Sequence, residues 1–167
     1  MSKETSSKLN ALASQNIFSP PPGGDVRLRS SDGVEFQAHA VLLSMVSSVF
    51  RDMFTVGTGK DTIDLAEDAQ ALSLMLEFIY PIKKAPTVSD FDTLVACLSV
   101  AQKYDLEGML ETLDAQLSND FMNSSSFVRT DPLRLHQLGL EFNLPETKAC
   151  AARRISGGAM TSSSLPA

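Results

Sequence analysis

From Asp25 onward apolar and polar positions alternate along the chain. Val26 and Leu28 are apolar between Arg27 and Arg29, and Val34, Phe36 and Ala38 alternate with Glu35 and Gln37. A period of two predicts two half-buried strands. The intervening SSDG contains Asp32-Gly33, a pair that tolerates the positive backbone angles of a tight hairpin turn. From Ala40 the period becomes helical through VLLSMVSSVFRDMF, with a break expected near Ser47-Ser48. The loop TVGTGKD then leads to a short strand over Thr62–Leu65.

The rest of the pattern is helical. Asp64 or Glu67 is expected to introduce a helix with Ala69, Leu72, Leu76 and Ile79 on one face, ending at Pro81. Beyond KKAPTVS, Ser89 is the expected cap of a helix that turns Phe91, Leu94, Val95, Leu98 and Ala101 inward. Leu106–Leu117 supplies the second arm of a helical hairpin through Leu110, Leu113 and Leu117. After FMNSSSF, Pro132 opens a helix carrying Leu135, Leu138 and Phe142, and Pro145 opens another through Ile155. Residues 1–24, rich in Ser and ending in SPPPGG, read as a disordered leader, and residues 157–167 as a disordered tail. No internal repeat or sustained heptad interrupts this order.

The length of 167 residues suits one main domain with a core of its own. Fourteen Lys and Arg against 20 Asp and Glu leave a net charge of -6, a field that repels phosphate and argues against nucleic acid as a partner. No apolar run reaches the roughly 18–20 residues of a spanning helix, so no membrane role is expected. Cys97 and Cys150 sit in apolar helical stretches without paired spacing, and the N-terminus has no secretory pattern. They read as free thiols in a reducing compartment, cytoplasmic or nuclear.

Three pieces of candidate chemistry fail on spacing. GTGKDT, residues 57–62, resembles part of a phosphate-binding loop. It has Phe54 where that loop needs glycine and Asp61 where it needs Ser or Thr, with a helix before and a strand after. His39 and His136 have no neighbour at metal-ligand spacing, so no metal or other cofactor is expected. A triad of Ser44, His39 and Asp25 lacks a nucleophile elbow, and His39 reads instead as a structural histidine held by a backbone carbonyl. Lys83-Lys84 and Arg153-Arg154 have no interleaved aromatics to stack bases and read as solvated faces. Met45, Met53, Met75 and Met109 fall inside amphipathic helices, and most of them read as core filling.

The block DVRLRSSDGVEFQAHAVLLSMVSSVFRDMF resembles the start of the BTB (POZ) domain: a D-V-x-L strand, a short turn, then F-x-A-H, L-L-x-x-x-S and F-x-x-M-F. LEFIYP and ACLSVAQKYDLEGMLETLDAQL resemble its second half, built around A-x-K-Y-x-L. Together they cover about residues 25–120. DPLRLHQLGLEFNLPETKACAARRI is similar to the helical extension of stand-alone fungal BTB proteins, here residues 121–156. The resemblance implies an α+β fold, a small β-sheet capped by a cluster of α-helices, followed by a C-terminal helical extension.

It also implies a non-enzymatic protein–protein interaction module that associates with itself or with another protein, without a catalytic residue or a small-molecule substrate. The signature residues Asp25, Phe36, His39, Leu42, Leu43, Phe50, Phe54 and Tyr104 are then scaffold. The alternatives are a substrate adaptor of a cullin-type ubiquitin ligase, which would use the C-terminal helix pair to widen a cullin contact, and a small hydrolase. Two positions depart from better-known branches. Asp25 matches the acid of the buried Asp–Arg pair in zinc-finger-type repressors, but Ala40 stands in place of the Arg. Where cullin adaptors carry a hydrophobic-x-Glu motif this chain has TVGTGKD. A swapped N-terminal strand needs an ordered segment before Asp25, and SPPPGG argues against one.

Overall fold

A computed structural model describes residues 17–56, 62–80, 82, 85–119 and 127–159. The GTGKDT stretch up to Asp61, Pro81, Lys83-Lys84, the FMNSSS linker, residues 1–16 of the leader and residues 160–167 of the tail lie outside the described residues. The chain divides into two compact units, 1–84 and 85–167.

The first unit contains β1 (Val26–Arg29), β2 (Glu35–Ala38), α1 (Ala40–Val46), α2 (Ser48–Val56), β3 (Thr62–Asp64) and α3 (Ala69–Ile79). The strands form one sheet in the order β2-β1-β3, with β1 antiparallel to β2 and parallel to β3. Alternation works as the sequence implies. Val26, Leu28, Phe36 and Ala38 are buried on one face, while Arg27, Arg29, Glu35 and Gln37 stand exposed on the other. There Arg29 Nε meets Asp64 Oδ1 at 2.6 Å and Arg27 lies 3.9 Å from Glu35. Water screens such exposed pairs, so the buried face sets the stability.

The tight hairpin turn expected in SSDG is present, but of Asp32 and Gly33 only the glycine takes a positive backbone angle. The Ser30 N–H donates to the Val34 carbonyl and the Gly33 N–H to the Ser30 carbonyl, with Gly33 alone at a positive φ of 86°. This is a three-residue connection closed by a left-handed glycine. Asp32 can then reach beyond the turn, where its carboxylate accepts the Ala69 N–H at 3.0 Å, and the Ser31 N–H donates to the Glu67 carbonyl. The turn thus docks on the start of α3. That helix is capped by Asp68, which accepts the Ala71 N–H at 2.8 Å, rather than by Asp64 or Glu67. Asp64 belongs to β3, and the Glu67 carbonyl is engaged by Ser31.

The break between α1 and α2 falls at Ser47. Its N–H closes α1 on the Leu43 carbonyl while its hydroxyl accepts the Phe50 N–H at 3.0 Å and starts α2. One buried serine therefore serves two helix ends.

The second unit is helical among its described residues: α4 (Phe91–Lys103), α5 (Glu107–Asn119), α6 (Phe127–Thr130), α7 (Pro132–Glu141) and α8 (Pro145–Ala159). Asp90, not Ser89, caps α4 by accepting the Thr93 N–H at 2.8 Å, and that bond holds its carboxyl below the usual carboxylate range. The inward residues Leu94, Leu98 and Ala101 are buried, as are Leu113 and Leu117 on α5 and Leu135, Leu138 and Phe142 at α7. Phe91, Val95 and Leu110 are half-buried. Asp131 caps α7 with Pro132 at its first turn. α7 and α8 approach closely because Gly139 has no side chain; a Cβ there would sit 3.1 Å from the Lys148 backbone. α8 continues past Ile155 through two glycines to Ala159, since glycine weakens a helix by about 1 kcal/mol without forbidding it. Cys97 and Cys150 are free and buried, and burial, aided by the charge of Asp90, pushes the Cys97 thiol up to about 11.

Candidate functional site

Seven of the eight signature residues lie in the first unit, around the start of α1. His39 ends the β2 segment with extended angles (φ −108°, ψ 112°) and is the N-cap of α1, yet its side chain caps nothing. Capping comes instead from Asp25, whose Oδ1 accepts the Ala40 N–H at 2.7 Å from just before β1. A negative charge at the first turn also suits the helix dipole. Asp25 is exposed. The acid that matches the buried Asp–Arg pair of other branches therefore serves here as a helix cap, at the backbone of the alanine that stands in for the arginine.

His39 has a different partner from the backbone carbonyl expected. Tyr80 presents its hydroxyl at 2.9 Å to both the His39 N–H and the imidazole Nδ1. The hydroxyl accepts the amide proton, and with Nδ1 it acts as donor or acceptor according to the ring tautomer. The rings lie 5.8 Å apart at 56°. Tyr80 is only 4% exposed, and burial raises its phenol pKa, opposed by the bond from His39. Phe18 completes the cluster: its ring is 5.8 Å from that of Tyr80, and its N–H donates to the Ser73 hydroxyl at 2.7 Å. The described end of the expected leader thus packs on α3.

The geometry does not wire the residues as a triad. Asp25 bonds to Ala40 and His39 to Tyr80, while Ser44 sits half-buried within α1. Leu43 and Phe50 are fully buried, Phe36 is 2% exposed, and Leu42 and Phe54 are half-buried, with the Phe50 and Phe54 rings stacked at 6.1 Å. Tyr104 belongs to the second unit, where it ends α4, is 1% exposed and carries the Lys103 ammonium 5.0 Å above its ring. Sequence reasoning missed Tyr80, Phe18 and Ser73. Their only local signal is an aromatic residue just before Pro81.

Among the described residues no group of three or more His, Cys, Asp or Glu is placed to hold a metal ion, and no helix is long and apolar enough to cross a membrane. Of the four helical methionines, most of which read as core filling, Met75 and Met109 are buried, Met53 is half-buried and Met45 is 78% exposed. α1 turns Met45, with Val41, away from the packed face that holds Leu43.

Removing the Tyr80 hydroxyl tests the cluster. Tyr80→Phe should lower stability by about 1–3 kcal/mol in urea unfolding, because the His39 N–H loses its acceptor in a part-buried place. An unchanged midpoint would mean that water replaces the hydroxyl.

The model of the BTB/POZ domain family matches residues 15–120, and the chain belongs to that family. BTB/POZ domains are protein–protein interaction modules. Among solved structures, the chain is similar to the BTB domain of zebrafish PATZ1, at 20% identity and a TM-score of 0.48, covering 71% of this chain and 95% of that one. No curated protein matches it.

Proposed function

We propose that the chain is a non-enzymatic association module that binds a second copy of itself or another protein through the outward face of α1. The observation that carries this reading is the apolar surface of that short helix: Val41 is 67% exposed and Met45 78%, one turn apart, with Val46 beside them at 37%. Large side chains at that spacing have helical neighbours on one face, and an apolar patch left in water is the usual mark of a partner surface. Asp25, Phe36, His39, Leu42, Leu43, Phe50, Phe54 and Tyr104 act in this reading as scaffold, within a module of residues 25–120 followed by an extension over 121–156.

The test is sedimentation velocity over a concentration series. The parent chain is expected to gain mass with concentration, and Val41→Glu with Met45→Glu to remain monomeric while melting at the parent temperature. A monomeric parent removes the self-association arm. A stable complex between this chain and a cullin, lost in the same double variant, would identify the hetero-partner as the ligase scaffold.

A further inference from the structure

β2 lies at the edge of the sheet, and among the described residues its outer side is open. The Leu65 N–H donates to the Arg29 carbonyl, so the main chain of Arg29 faces β3. Strand alternation then turns Leu28 toward β2 and, through the pairing of Leu28 with Phe36, turns the main chain of Phe36 toward β1. The N–H and C=O groups of Glu35 and Gln37 therefore point away from the sheet. Among the described residues none of these four groups meets a hydrogen-bond partner. The next outward amide, that of His39, is closed off by Tyr80.

The open edge borders a groove of about 550 Å³. One wall is Val34–Gln37 and the other is the segment Ile17–Pro22. In that segment Pro20 to Pro22 have no N–H to give to the outward carbonyls, and the Phe18 N–H is given to the Ser73 hydroxyl. Among the described residues Glu35 alone lines the groove with an ionisable group, and Arg27 is a loose partner to it at 3.9 Å, with both side chains about half exposed.

We propose that the edge of β2 at Glu35 and Gln37 receives an extended, positively charged peptide segment of a partner protein, which adds to the sheet as a fourth strand. Two donors and two acceptors at strand spacing fit the main chain of such a segment, and Glu35 on a chain of net charge -6 selects its Lys or Arg side chains. The site is separate from the α1 face, and the two can be tested apart.

The probe is a synthetic hexapeptide of alternating lysine and valine, blocked at both ends and titrated into the full chain labelled with nitrogen-15. The expected result is saturable binding, with the largest amide shifts at Glu35 and Gln37. An analogue N-methylated at alternate residues should bind roughly tenfold more weakly, having lost main-chain donors. Gln37→Pro, which deletes an outward N–H and leaves the ladder to β1 intact, should weaken binding to a similar degree. Glu35→Lys should switch the preference to a glutamate-valine peptide, while Met45→Glu should leave the titration unchanged. The proposal is overturned by no binding, by equal binding of the N-methylated analogue, by shifts centred on Val41 and Met45, or by a self-associating parent that Gln37→Pro renders monomeric, which would make the occupant a second copy.

Discussion

Asp114→Ala is expected to cost about 3–5 kcal/mol, an effect as large as emptying a core position, because one carboxylate supplies two hydrogen bonds to the start of another helix. α8 begins at Pro145 after Leu144, a residue with no side-chain acceptor, so its first amides find no cap in their own segment. Asp114 on α5 fills that need. Its Oδ1 accepts the Thr147 N–H at 2.7 Å and its Oδ2 the Glu146 N–H at 3.1 Å, in a place where Asp114 is 6% exposed and Thr147 fully buried. Truncation would leave two N–H groups shielded from water and remove the charge that faces the positive end of α8. Asp114→Asn keeps one acceptor oxygen and should lose about half as much. Urea midpoints measure both, and hydrogen exchange should show α8 losing more protection than α4. A cost below about 1 kcal/mol for Asp114→Ala would mean that water caps this helix.

Phe36→Ala is the second large effect, again about 3–5 kcal/mol, the range for removing a core aromatic ring. Phe36 is 2% exposed on the inner face of the sheet and pairs across the strands with Leu28, which is fully buried. The loss combines apolar area returned to water with a cavity that a short, three-stranded sheet cannot easily collapse. Denaturant unfolding with an unchanged m-value would read it directly. If the midpoint barely moves while association is lost, Phe36 belongs to a partner surface instead of the core.

Ser47, Asp32 and Asp25 show how far local pattern reaches. The break at Ser47-Ser48 is visible because a helical period resumes on a new face after two polar residues, and the structure adds that one hydroxyl closes the gap. Asp32 is legible as a turn residue, but its bond to Ala69, 37 positions away, is not. Asp25 is legible as a signature acid, and its work as the cap of α1 appears only once β2 has brought Ala40 beside it. The cap of α4 differs by a single residue, Asp90 in place of Ser89, which is the scale of error that helix ends allow.

Apart from the short α6, the sequence by itself determined the order and type of the elements, the buried face of most of them and the family to which they belong. Those properties follow from periodicity and from residues a few positions apart, where chain connectivity already guarantees the contact. The tertiary structure decided which distant polar groups satisfy one another: Asp114 with the first amides of α8, Tyr80 with His39, Asp32 with Ala69. It also decided that Met45 faces solvent and that β2, rather than β1, forms an edge of the sheet. The reason is that a hydrogen bond between residues tens of positions apart leaves no period in the sequence. Its donor and acceptor meet only when the packed apolar faces have fixed the backbone, and whichever polar group then lies within reach of a buried N–H must serve it.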